Sequence, residues 1–121
     1  KRILNAAKEN NCPTIFFPKD YGNGISKIEE GTCDFVSIDW HSSISHARDI
    51  LNNKIGIQGN MDPRIFYEDY NIIENYLNSL VDFGSQNHNW IFNLGHGFLP
   101  DIDYKKVQFV VEWVKNKDWK R

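Results

Sequence analysis

Several marks of the more specialised protein classes are missing from this sequence. It has only two cysteines, Cys12 and Cys33, far apart and without metal-ligand spacing. That argues against a disulfide-built secreted fold and leaves two reduced structural thiols as the expectation. No apolar run approaches the roughly 18 residues needed to span a bilayer. No apolar stretch follows Lys1-Arg2-Ile3 to mark a secretory signal. Neither sign of charge dominates: the net charge is −2 at pH 7, so no bulk attraction to nucleic acid or an anionic membrane is expected. Low-complexity stretches and an obvious linker are lacking too. So is an initiator methionine, which fits a piece of a longer chain.

What is present reads as globular. A hydrophobic share of 40% and a charged share of 25% over 121 residues are enough for one ordinary domain, spanning 1–121. Four short aromatic or β-branched segments predict buried strands at residues 14–17, 35–38, 54–58 and 90–94, each closed by Gly, Pro, Asp or Asn. The first two are nearly continuous apolar runs, which suits parallel strands covered on both faces. Between them lie helical stripes. Ile73, Tyr76, Leu77 and Leu80 repeat at helical spacing, as do Val107, Val110, Val111 and Val114. Asp103 is placed to cap the last helix, and Ser42 or Ser43 to cap a shorter stripe of Ile44, Ala47 and Leu51. Ile3, Leu4 and Ala7 suggest the end of a helix that opens the chain.

Strands alternating with helices predict an α/β fold with a parallel sheet. A four-stranded open sheet satisfies the pattern. So does the C-terminal half, about four βα units, of an eight-stranded (β/α)8 TIM barrel, whose full length is typically about 250 residues. In both architectures ligands bind beyond the C-terminal ends of the strands. Those ends read Phe17-Pro18-Lys19-Asp20, Ile38-Asp39-Trp40-His41, Gln58-Gly59-Asn60-Met61-Asp62-Pro63 and Asn93-Leu94-Gly95-His96-Gly97. Polar and charged groups are thus concentrated on one rim.

The third and fourth of these segments resemble two boxes of the uroporphyrinogen decarboxylase family, one around Gln58-Gly59-Asn60-x-Asp62-Pro63 and one around Asn93-Leu94-Gly95-His96-Gly97 with Pro100-Asp101. Lys19-Asp20 and Asp39-Trp40 match two further family positions in the same order. The resemblance implies a TIM barrel enzyme that removes carboxyl groups from the four acetate arms of uroporphyrinogen III, leaving the methyls of coproporphyrinogen III, in porphyrin and haem biosynthesis. It implies a reaction without metal or organic cofactor, a homodimer, and a cytoplasmic or plastid location. It also implies that this chain supplies barrel strands five to eight. The family's arginine-rich segment and central aspartate would then lie upstream.

The residues present suit such chemistry. Decarboxylation leaves an electron pair on carbon, so the site must hold a polyanionic macrocycle, supply a proton and stabilise developing charge. His96 can donate a proton or a hydrogen bond near neutral pH. Substrate binding is its first assignment and proton transfer its second. Gly95 and Gly97 would let backbone approach a large flat ligand and adopt unusual φ angles. Gln58 and Asn60 either bind substrate or brace the rim. Asp62 reads chiefly as a helix cap ahead of Pro63. Asp39 and Lys19 are placed to pair across neighbouring strand ends, as a structural ion pair rather than a catalytic one.

Blander roles fit other residues. His41, His46 and His88 lack ligand spacing and are expected in solvated loops, with no zinc site. Trp90 and Trp113 are expected in the core and Trp119 on a neighbour or in solvent, while Lys115, Lys117, Lys120 and Arg121 form a solvated helix end. Two other functions compete. A corrinoid-linked methyltransferase of the same superfamily would need zinc on histidine and cysteine, yet neither cysteine stands at a strand end. An inactive half-barrel that only binds or scaffolds is the other.

Overall fold

Val36 and Ile57, both with no exposed surface, sit side by side at the centre of a four-stranded parallel sheet. The computed structural model describes residues 2–20 and 22–119; Lys120 and Arg121, expected to end a solvated helix, lie outside the described residues. The chain organises as two compact units, Lys1–Met61 with Asn89–Gly95, and Asp62–His88 with His96–Arg121. The fold is mixed α/β, and no described helix is long and apolar enough to cross a membrane.

The first unit carries the whole sheet. Its strands are β1 (Ile15–Phe16), β2 (Phe35–Ser37), β3 (Gly56–Gln58) and β4 (Trp90–Ile91), in the order β1-β2-β3-β4 and all parallel. Each is shorter than its apolar run, because only the residues that face a partner strand enter the ladder. A bridge between Met61 and Leu94 prolongs the β3–β4 pairing past the strand ends. Gly56 is needed at its position: a Cβ there would fall 2.3 Å from the ring of Phe35, its partner across the ladder.

β1 corrects one expectation. Its apolar run predicts a strand covered on both faces, but Ile15, Phe16 and Phe17 are 49%, 36% and 43% exposed. The reason is position: among the described residues β1 pairs with β2 alone, so its other side has no strand beside it. Likewise the helix α1 (Arg2–Glu9) forms where Ile3, Leu4 and Ala7 suggest one, yet buries none of its residues.

Polar groups tie the loops of this unit to the sheet. Asp34 accepts hydrogen bonds from both the backbone N–H (2.7 Å) and the hydroxyl (2.8 Å) of Thr14, which holds its carboxyl below the usual range. The helix α2 (Ile44–Leu51) is capped by Ser43, whose hydroxyl accepts from the His46 N–H, so the open choice between the two serines falls to Ser43. His46 therefore lies on this helix rather than in a loop. α2 buries Ile44, Ala47 and Leu51, and with them Arg48. The Arg48 guanidinium donates to the carbonyls of Ile55 (3.0 Å) and Asn89 (3.5 Å), just ahead of β3 and β4, while its Nε has no hydrogen-bond partner among the described residues. Burial pulls its pKa down. Apolar periodicity gives no warning of a cation inside the stripe. Cys33 is buried, which raises its thiol pKa, and Cys12 is exposed; both are free.

The second unit is helical: α3 (Tyr70–Ser79), α4 (Val81–Gln86) and α5 (Tyr104–Asn116), preceded by a 3₁₀ turn at Pro63–Tyr67. Asp103 caps α5 by accepting from the Lys105 N–H at 3.0 Å. Ile73 and Leu77 bury completely on α3, whereas Leu80 ends that helix. Of the four valines on α5, Val110 is buried and Val111 is 45% exposed, so the stripe is narrower than its spacing predicts. Tyr70 meets Phe109 edge-on at 5.1 Å, joining α3 to α5. Burial, with Asp62 nearby, pushes the Tyr76 phenol up to about 12. The tryptophans are less deeply placed than expected. Trp90 and Trp113 are both half-buried, and Trp113 packs edge-on against Trp119 at 6.1 Å.

Replacing Ile57 with Ala is expected to cost about 2–5 kcal/mol of folding stability, the range for emptying a fully buried aliphatic site, measured by urea denaturation. Asp34 sets a pH signature. Its folded pKa is depressed, so its stabilisation is present above about pH 4 and fades as the pH falls through the lower folded value. The stability gap between wild type and Asp34→Asn should be widest near neutrality and close on acidification, as read from denaturation midpoints.

Candidate functional site

Four strand ends of a parallel sheet leave backbone groups with no ladder partner, and here Asp39 gathers several of them. It follows β2, is nine-tenths buried, and uses both carboxylate oxygens. Oδ2 accepts the backbone N–H of Asp20 beyond β1 (3.2 Å), and Oδ1 accepts that of His41 (2.9 Å). Lys19 does not supply the expected ion pair. It is exposed, and the contact from the β1 side is the main-chain N–H of the next residue.

β3 is joined to the same corner by Asn60. Its amide donates to the carbonyls of Asp39 (2.9 Å) and Ser42 (2.6 Å), and the residue is only 8% exposed. The Gln58 amide donates to the Ser37 hydroxyl at 3.2 Å. Both side chains therefore spend amide hydrogens on bracing the rim. Gly59 precedes Asn60 at φ 129°, a conformation open to glycine, and a Cβ there would meet the Ile38 carbonyl oxygen at 2.8 Å. Its own carbonyl accepts the indole N–H of Trp90 at 2.8 Å.

After β4, Gly95 donates its N–H to the Met61 carbonyl at 2.9 Å and lies flat against the corner. A Cβ at position 95 would sit 2.2 Å from the Trp40 nitrogen and 2.8 Å from the Asp39 carbonyl carbon. Gly97 is different, with nothing within 4 Å of where a Cβ would be. Neither glycine has the positive φ the sequence suggests. Gly95 serves a close approach within the protein instead.

His41 is more ordered than a solvated loop residue. Its ring stacks on Trp40 with centroids 3.6 Å apart, and Nδ1 lies 3.6 Å from Asp39 Oδ1 with the side chain 61% exposed. Its spacing along the chain carries no ligand signature. The available signal was its place two residues after Asp39, at the end of a strand beside the one that ends in Asp20. His88 is exposed in a turn ahead of β4.

The second unit holds His96, which is exposed at the head of the loop that leads to α5. That loop is tied to the 3₁₀ turn at two places: Phe98 packs on Phe66 at 5.5 Å, and the Tyr67 hydroxyl donates to Asp101 at 2.5 Å. The second contact raises the Tyr67 pKa. Asp62 caps the turn by accepting from the Arg64 N–H at 2.8 Å, with Pro63 following, and pairs with the Arg64 guanidinium. The turn is 3₁₀ rather than α-helical. Pro100, Leu99 and Val111 border an apolar hollow on this unit.

These features sit on family sequence. The profile of the uroporphyrinogen decarboxylase (URO-D) family matches residues 1–117, and the chain belongs to that family. It is 38% identical over 116 residues to a uroporphyrinogen decarboxylase of Wigglesworthia glossinidia brevipalpis, covering 96% of this chain and 32% of that protein. It is also 38% identical over 117 residues to the one from Chlorobium chlorochromatii (94% and 33%), and 32% identical over 113 residues to the one from Geobacter sulfurreducens (93% and 33%). The chain thus spans about a third of the length of the curated relatives it matches.

Gly95→Ala is expected to destabilise the first unit by about 1–3 kcal/mol or more, because a methyl there meets backbone rather than a yielding side chain. The urea midpoint measures it. Gly97→Ala, with open space around it, is the control and should stay within about 0.5 kcal/mol.

Proposed function

We propose that this chain is the C-terminal half of a (β/α)8 barrel, one partial domain over 1–121, that contributes one wall of a uroporphyrinogen decarboxylase site. The observation that carries the reading is the rim. Four parallel strand ends converge polar residues from family sequence on one corner, where Asp39, Asn60 and Gly95 meet. Parallel sheets place ligands at that end. Four strands in sequential order are half of what such a barrel needs.

In this reading His96 binds an acidic side arm of the tetrapyrrole and stands near enough to pass a proton. The bond from the acetate methylene to its carboxylate breaks, carbon dioxide leaves, and the electron pair flows into a protonated pyrrole. A proton delivered to the methylene then gives the methyl, and the ring gives up its own added proton to restore the neutral pyrrole. Asp39, Gln58, Asn60 and Gly95 hold the strand ends of the first unit, with Gln58, Asn60 and Gly95 also meeting substrate, and Gly97, next to His96, lets backbone approach the macrocycle. Lys19 adds positive charge for a polyanion, and Asp62 fixes the turn after β3. The reaction needs the upstream carboxylate and arginines for the remainder of the site, and the complete protein acts as a soluble homodimer in cytoplasm or plastid. Neither nucleic acid nor membrane is a partner in this reading.

The chain alone should not turn over uroporphyrinogen III, and supplying the upstream part of the same protein should restore coproporphyrinogen III formation, followed by chromatography of the oxidised products. Turnover by the chain alone would overturn the incomplete-site reading. In the restored enzyme His96→Asn should lower decarboxylation at least about tenfold, matching loss of one charge-assisted hydrogen bond of roughly 1.5–3 kcal/mol. An unchanged rate in a folded variant removes His96 from the site.

A further inference from the structure

The corner at the ends of β1 and β2 uses the main-chain N–H groups of Asp20 and His41, which any residue could supply. The side chains at those two positions are surplus to that construction. Yet one carboxylate oxygen of Asp20, one of Asp39 and one imidazole nitrogen of His41 all lie within 4.8 Å of one another. We propose that Asp20, Asp39 and His41 form a binding site for a divalent first-row transition-metal ion of the zinc type, distinct from the decarboxylation chemistry assigned to His96.

The donor set selects the class of ion. Two carboxylates and an imidazole suit zinc and its first-row neighbours, whereas calcium and magnesium favour oxygen alone, with six or more ligands. Three protein ligands leave a tetrahedral ion one open position, for water or for a carboxylate of a bound anion. The ligands are held in advance. An ionised carboxylate has about four acceptor positions. Asp39 commits two of them to the N–H groups of Asp20 and His41, so lone pairs remain for a cation. Those same N–H bonds fix the carboxylate's orientation, as outer-shell hydrogen bonds do in metal sites. Stacking on Trp40 restrains the His41 ring, and Asn60 anchors the main chain of Asp39 from the β3 side. Access is direct, since Asp20 and His41 are exposed while Asp39 forms the buried floor. A bound ion would turn a corner that carries two negative charges into a centre able to attract an anionic ligand.

The test is calorimetric titration of the chain with zinc chloride, in a Cys12→Ser background that removes the exposed thiol. One ion per chain is expected to bind. His41→Asn and Asp20→Asn should each weaken it at least tenfold with an unchanged circular dichroism spectrum, because both variants keep the backbone N–H groups that Asp39 accepts. His88→Asn should bind as the parent does. With cobalt(II) in place of zinc, visible absorption bands should appear and vanish in the same two variants. Absence of saturable binding overturns the proposal. So does binding that survives both variants, or that falls equally in His88→Asn. None of these readouts depends on decarboxylation, so the site and the catalytic reading stand or fall separately.

Discussion

The rim depends on one buried carboxylate. Asp39 lies where a parallel sheet would otherwise leave main-chain donors unmatched, and an unmatched donor away from water costs free energy on the scale of a lost hydrogen bond. By taking one N–H from the β1 side and one from its own turn, it joins two strand ends. Asn60 then attaches the β3 end through the Asp39 carbonyl. The chain after β4 closes on the same corner by bare backbone contact at Gly95. Three kinds of interaction therefore meet on one residue: its carboxylate holds the β1 and β2 ends, its carbonyl the β3 end, and its main chain packs against the β4 end.

Such an arrangement explains why polar residues at the rim need not all be ligand-binding. The amides of Gln58 and Asn60 point into hydrogen bonds with the protein itself. Residues that hold a rim and residues that act there are both required by a site whose geometry must be set before a ligand arrives. Within the first unit the exposed His41 stands beside that frame with its ring free of the sheet ladder.

Much of this was legible in the sequence, for identifiable reasons. Short apolar runs bounded by turn residues located all four strands. Helical spacing located α2, α3 and α5, and capping chemistry placed Asp103 correctly. What stayed hidden depends on information that single-chain patterns do not carry. An apolar run does not say whether a strand lies at the edge, so β1 reads as buried when its residues are exposed. A long charged side chain inside an apolar stripe reads as solvent-facing, whereas Arg48 is a buried cation held by two carbonyls. The same limit applies at the rim. Lys19 next to Asp20 suggests a charge pair with Asp39, whereas the contact is made by a backbone N–H that no side-chain pattern reveals. Ligand spacing along one element is silent about His41, whose neighbours come from two strand ends.

The close contact at Gly95 also bears on how this position can drift over generations. Every missense change in a glycine codon adds at least a Cβ, and here a Cβ would land on the main chain of Trp40, which has no rotamer to move aside. At position 97 the same codon changes enter open space. Two glycines separated by one histidine, identical to any reading of composition, therefore differ in the variation the fold can accept: packing forbids a side chain at position 95 and leaves position 97 to be constrained by whatever it does for a ligand.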